Sequence, residues 1–173
     1  QESYWQLVGG ESARPFRTTD HEPELVYVYP ATLNLPAGGR LRFAGLGLVH
    51  HSNGQSLPLS RSWNRHYLMA GAEWGPQWQV QARVWKRIAE SRTQDDNPDI
   101  SDLFGRGELR VLWNPNSQHT LGVTVRHALR QPAKGSTRLE WLRTLGEGAP
   151  GGKSNLRLHT QLFHGYGDSL IDY

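Results

Sequence analysis

Polar and apolar residues alternate with a period of two along most of this 173-residue chain. From Gln77 to Arg87, the residues Gln77, Gln79, Gln81, Arg83 and Arg87 share one side of an extended strand, and Trp78, Val80, Ala82 and Val84 share the other. The same division recurs with Arg106, Glu108 and Arg110 against Leu109, Val111 and Trp113, and with Thr120, Thr124 and Arg126 against Leu121, Val123 and Val125. It returns near the end, where Arg157, His159 and Gln161 oppose Leu156, Leu158 and Leu162. Helical periodicity is almost absent, and Gly, Pro, Asn and Asp punctuate the alternating segments. The pattern predicts an all-β fold of about nine antiparallel strands, near residues 4–7, 24–33, 40–50, 62–74, 77–87, 105–114, 119–130, 136–145 and 155–166.

Alternation of this kind suits a soluble sandwich, with apolar faces buried against each other, or a transmembrane barrel, with apolar faces turned to lipid and polar ones inward. Strands near ten residues long, with tryptophans close to their ends (Trp5, Trp63, Trp74, Trp78, Trp85, Trp113 and Trp141), favour the barrel and its interfacial aromatic girdles. A mean hydropathy of −0.64 is no objection, because a barrel strand needs an apolar residue only at every second position. Nine strands is an odd number where bacterial single-chain barrels have even ones. One barrel domain over residues 1–173 is therefore expected, lacking N-terminal strands and a C-terminal strand.

Composition narrows the partners. Nineteen Lys and Arg against sixteen Asp and Glu leave a net charge of only +3, spread along the chain, so no basic patch points to nucleic acid. There is no cysteine, which excludes disulfides and thiolate metal sites. No apolar run reaches the roughly 18 residues of a membrane helix, and the N-terminus lacks the features of a signal peptide, so any export signal would lie upstream or have been removed.

Candidate chemistry concentrates between His50 and Arg65, in the run HHSNGQSLPLSRSWNR. His50 and Ser52 share one face of a strand, with Leu48, Leu46 and Ala44, while His51 faces away. The turn-rich stretch that follows reverses the chain, so Asn64 on the returning strand can lie beside His50. His50 can then act as general base toward the Ser52 hydroxyl, with Asn64 accepting from the other ring nitrogen and fixing the tautomer. Asparagine cannot offset imidazolium charge as aspartate does, so such a triad needs charge from elsewhere. The plainer reading is a polar corner in which Ser52, Asn53 and Gly54 form a turn and Asn64 ends a strand. The other histidines lack metal-ligand spacing, and the acidic run around Asp95, Asp96 and Asp99 lacks an EF-hand pattern and reads as a solvated loop.

These residues are familiar as a set. The run from His50 to Arg65, with YWQL and ARPFRTTDHEPEL before it and DDNPDI and GYGDSLIDY after it, resembles the outer-membrane phospholipase A family over nearly the whole chain. The resemblance implies a 12-stranded outer-membrane barrel whose active site lies on its outer wall, facing the outer leaflet. It implies a calcium-dependent homodimer that hydrolyses acyl esters of phospholipids and lysophospholipids, with Ser52 as nucleophile, His50 as base and Asn64 as orienting residue. The backbone amides of Ser52 and Gly54 would form the oxyanion hole. Calcium would be held by the backbone carbonyl of Gln55, the hydroxyl of Ser60 and a backbone carbonyl near Ala13 of the partner chain. Three positions depart from the family pattern. Gln55 replaces a usual arginine, Leu57 stands where some members carry an aspartate of a second calcium site, and His51 stands where an acidic residue is common.

Two other readings stay open at this point. A non-catalytic barrel, a porin or adhesion scaffold, would use the hairpin only as a loop, and a soluble β-sandwich binding module would bury the apolar faces. With strands of the barrel missing, both sheet edges would expose backbone groups, so the chain by itself is expected to fold and work poorly.

Overall fold

The structure, a computed structural model, describes the backbone of residues 2–5 together with residues 18–91, 95–132, 134–145 and 156–170. They form one antiparallel sheet: β1 (Glu2–Trp5), β2 (Thr18–His21), β3 (Glu24–Pro30), β4 (Asn34–Leu35), β5 (Gly39–Ser52), β6 (Ser62–Trp74), β7 (Trp78–Arg87), β8 (Gly107–Trp113), β9 (His119–His127), β10 (Gly135–Thr144) and β11 (Arg157–Gly165). The spatial order β1-β2-β5-β6-β7-β8-β9-β10-β11 is a meander, with β3 and β4 also paired to β5. All nine expected strands are present. The alternation did not reveal the short strands β2 and β4, nor a single helical turn, α1 (Ile100–Leu103).

Strands β2 and β3 are one ladder with an interruption. His21 pairs with Ser52 and Glu24 with Val49, the same register on either side of Glu22 and Pro23. Proline has no N–H to contribute to a ladder, yet its carbonyl still accepts from the His50 amide at 3.1 Å. A bulge interrupts the opposite end of β5, where Leu41 pairs with Ala72 but Phe43 with Gly71, leaving Arg42 unopposed. Strict alternation therefore breaks at Arg42 and resumes in the other phase, which places Arg40 opposite Glu73.

The sheet curls around a polar interior of about 460 Å³, whose lining comes from Asp20 on β2 through Arg65, Arg83 and Glu108 to Gln161 on β11. Cross-strand ion pairs run around it. Arg126 reaches Glu108 at 2.7 Å, Arg110 reaches Glu140 at 3.1 Å, Arg83 reaches Glu24 at 3.4 Å, and Arg65 pairs with Glu22. The outer face is the apolar one, with Leu25, Tyr27, Leu46, Leu68, Val84 and Leu109 all exposed. That is the inverse of a soluble sandwich and the arrangement a bilayer requires of a barrel wall. No described helix is long and apolar enough to cross a membrane.

The two ends differ. At one, Trp78 and Trp113 stack with ring centroids 5.5 Å apart, next to Trp74, and Trp141 stacks on His119. At the other, Trp63, Ile100, Phe104 and Leu170 form a small buried cluster inside the mouth. Here the segment after β11 crosses to the far side of the sheet, and the Leu170 amide donates to the Asp20 carboxylate at 3.0 Å.

Glycines on β5 and β6 receive large side chains from the neighbouring strand. The Tyr67 ring lies where a Cβ of Gly47 would be, and the Phe43 ring does the same over Gly71. Gly47→Val is expected to displace Tyr67 and destabilise the fold by about 1–3 kcal/mol, the usual cost of overpacking. Urea unfolding in detergent micelles, followed by tryptophan fluorescence, measures this.

Candidate active site

Strand β5 carries His50 to the end remote from Trp74, Trp78 and Trp113, and β6 returns with Asn64 directly opposite it. The pair is cemented side chain to side chain: His50 Nδ1 and Asn64 Oδ1 are 2.9 Å apart. With the amide oxygen facing the ring, the imidazole carries its proton on Nδ1, which leaves the Nε2 lone pair available as a base. Both residues belong to the outward parity of their strands. Leu48 and Leu46 flank His50 on the exposed face, while His51 turns inward, accepts from the Trp63 indole at 3.3 Å and packs edge-on against Phe104.

Ser52 occupies the last position of β5, on the face shared by His50, with Cα atoms about 7 Å apart by strand geometry. It pairs across to Ser62 on β6 and His21 on β2. Its hydroxyl is not hydrogen-bonded to His50. A long or poorly aligned nucleophile–base contact is common in the absence of substrate. Around the dyad lies a shallow, mostly apolar groove of about 500 Å³, bounded by Pro23, Leu25, Leu48 and Ile88.

The loop 53–61 is organised by Asn53, a buried residue that the sequence marked only as a turn former. Its Nδ2 donates to the Leu59 carbonyl at 2.8 Å, and its Oδ1 accepts from the amides of Arg61 at 3.0 Å and Gln55 at 3.3 Å. Gly54 follows with φ of 63°, the left-handed conformation that glycine adopts without strain. Arg61 braces the loop from the other side through the carbonyls of Pro58 and Ser60.

The acidic run is not a solvated loop, contrary to the sequence expectation. Asp95 receives Arg87 at 2.6 Å, Asn97 is fully buried, and Asp96 accepts from the Ser60 hydroxyl at 2.7 Å and from the Ser62 amide at 3.1 Å. No dyad pattern could reveal this, because loop carboxylates have no periodic partner. Glu90 was likewise missed, and it takes a hydrogen bond from the Asn64 amide group at 3.2 Å.

Of the expected calcium ligands, Ser60 and Gln55 sit on this one loop, and Ala13 lies outside the described residues. The available donors are a hydroxyl, main-chain carbonyls and the Asp96 carboxylate, which makes no ion pair among the described residues. An all-oxygen set of this kind suits a hard cation such as calcium. No group of three His, Asp or Glu side chains that could hold a metal occurs among the described residues, so main-chain oxygens would have to complete the shell.

A family model described as phospholipase A1 matches residues 1–173. Among curated relatives, a putative phospholipase A1 of Neisseria meningitidis is 43% identical over the whole chain, which covers 44% of that protein. A phospholipase A1 of Escherichia coli is 38% identical, again over the whole chain and 55% of the relative. The chain thus spans about half the length of the curated relatives it matches. Among solved structures, outer membrane phospholipase A of E. coli superposes with a TM-score of 0.80 at 34% identity, over 94% of this chain and 58% of the other. A Salmonella typhi outer membrane phospholipase dimer with bound calcium superposes with a TM-score of 0.79 at 36% identity, over the same shares.

Asn53→Ala is expected to leave two loop amides and one carbonyl without partners, at a cost of about 1–3 kcal/mol. Limited proteolysis should then cut the 54–61 segment at least several-fold faster than in the parent, with the strands intact.

Proposed function

Because the chain belongs to the phospholipase A1 family, we propose that it carries the active site of an outer-membrane phospholipase, with Ser52 as nucleophile, His50 as general base and Asn64 as the orienting residue. The observation that carries this reading is the His50–Asn64 hydrogen bond on an outward apolar wall. A solved structure of the E. coli relative bears an asparagine-to-alanine active-site mutation, which accords with a working role for Asn64.

In this mechanism His50 Nε2 takes the proton of Ser52 as its Oγ attacks an acyl carbonyl of a phospholipid or lysophospholipid. Collapse of the tetrahedral adduct breaks the ester bond and expels the remainder of the lipid, whose alkoxide oxygen receives the proton from His50. Water then attacks the acyl-serine with the same base, releasing the fatty acid and restoring Ser52. The backbone amides of Ser52 and Gly54 are the proposed donors to the oxyanion.

Position along the strand supports membrane access. Asn64 and Trp74 are ten residues apart on β6, or about 33 Å at the usual rise, and a strand tilt near 40° reduces this to about 25 Å, the height of a barrel's apolar band. With Trp74, Trp78 and Trp113 at one interface, the dyad lies at the other, which we assign to the outer leaflet. The groove beside Leu25, Leu48 and Ile88 offers an acyl chain an apolar bed open to lipid.

Calcium fits the oxygen donors of the loop, where the Ser60 hydroxyl and the Gln55 carbonyl would hold it together with a main-chain carbonyl near Ala13 of the partner chain, and Leu57 leaves Asp96 without a second carboxylate for a further ion. When bound it would supply the positive charge that stabilises an oxyanion and that a Ser-His-Asn triad lacks. A homodimer, as in the Salmonella typhi relative, would add a second wall against which acyl chains are buried.

In the intact membrane-embedded protein, Ser52→Ala and His50→Ala are each expected to lower fatty-acid release from phospholipid micelles by at least about 10³-fold. A fluorophosphonate should label Ser52 only when His50 is present. Retention of hydrolysis by Ser52→Ala would refute the nucleophile assignment. Chelation of calcium should abolish turnover while the heat-modifiable mobility of the folded barrel on gels persists.

A further inference from the structure

The amide of Asn64 can be read two ways from its neighbours, and only one of them makes His50 a base. With Oδ1 toward the imidazole, Nδ1 carries the proton and Nε2 is free. With the NH₂ group toward it, Nδ1 must accept, the proton moves to Nε2, and the base is lost. The His50–Asn64 contact alone tolerates either arrangement, because each pairs a donor with an acceptor.

A second contact decides between them. Glu90 Oε1 lies 3.2 Å from Asn64 Nδ2, and an ionised carboxylate only accepts. Reversing the amide would set its oxygen against the carboxylate, two acceptors at hydrogen-bond distance. Glu90 is itself held in place, since its side chain is 19% exposed and its other oxygen lies 3.5 Å from Arg87. Arg87 is in turn shared with Asp95 at 2.6 Å and the Asn97 carbonyl at 3.1 Å, so its charge is divided among several acceptors. The backbone joins the same unit, since the Ile88 amide donates to the Asn64 carbonyl at 2.8 Å.

We infer that Glu90 is a positioning residue that fixes the Asn64 amide, and through it the tautomer of His50. This rests on the acyl-hydrolase reading of Ser52 and His50 given above. It also supplies a reason for asparagine at position 64 in this chain. An aspartate there would confront Glu90 across a hydrogen-bond distance, and like charges so close oppose each other.

The test uses the intact, calcium-loaded protein in detergent micelles, with Ser52→Ala as reference. Glu90→Ala is expected to lower kcat about tenfold, equal to about 1.4 kcal/mol of transition-state stabilisation, with KM within twofold of the parent. Glu90→Gln keeps an acceptor oxygen in the same place and should recover kcat to within about threefold. Asn64→Asp should be more damaging in the parent than in the Glu90→Gln background, by at least threefold. Heat-modifiable mobility identifies variants that have folded. A kcat for folded Glu90→Ala within twofold of the parent would overturn the inference, as would a Glu90→Gln variant as impaired as Glu90→Ala or purely additive effects in the double variant. If Ser52→Ala itself remained active, the hydrolase reading would fail first, independently of Glu90.

Discussion

Register between β5 and β6 is the constraint on which the site depends. A side-chain period of two means that a slip of one residue would turn every side chain of a strand to the other face. His50 would then point into the charged interior and lose Asn64. The two strands prevent this with shape as well as with backbone hydrogen bonds. Tyr67 lies across Gly47, Phe43 across Gly71, Met69 against Gly45 and Trp74 across Gly39, so that each large side chain meets a neighbour with none. A slipped register would set these groups against Cβ-bearing residues. The glycines of this hairpin are thus places kept empty for particular rings, and the bulge at Arg42 confines the change of phase to the end away from the dyad.

Charge is handled in the reverse of the soluble manner. The interior carries Arg65, Arg83, Arg110 and Arg126, each answered across the strands by a glutamate, while the exterior near the dyad is leucine, valine and tyrosine. Polar chemistry on an apolar wall needs its hydrogen bonds closed among its own members, because lipid offers none. His50, Asn64 and Glu90 meet that demand as a chain of contacts running from the exposed face toward the half-buried Arg87. The acidic loop performs a related service on the neighbouring turn, where Asp96 holds both the Ser60 hydroxyl and the Ser62 amide.

Much of this was legible from the order of residues, for identifiable reasons. A strand advertises its two faces at every second position, so the nine strands and the shared parity of His50 and Asn64 could be read directly, while the choice of inner face rested on strand length and the placing of tryptophans. The His-x-Ser spacing suggested a nucleophile and base, and the surrounding run turned that suggestion into a family resemblance. What escaped were contacts without a period. Pro23 interrupts a ladder whose register survives the break, and Arg42 changes phase inside a strand that otherwise alternates. Glu90 carried no periodic signal at all, and Asp95 and Asp96 were expected to be solvated. Their roles follow from where loops return in space, which neighbouring residues do not encode.

The small cluster of Trp63, Ile100, Phe104 and Leu170 bears on which side of the wall is left accessible near the dyad. It sits inside the mouth nearest the dyad, all four residues buried, with the strand-free segment 166–170 drawn across to Asp20. At that end the interior is lined with hydrocarbon and aromatic rings, backed by arginine–carboxylate pairs. If the outward His50–Asn64 pair is the working site, its substrate would arrive sideways, from within the membrane.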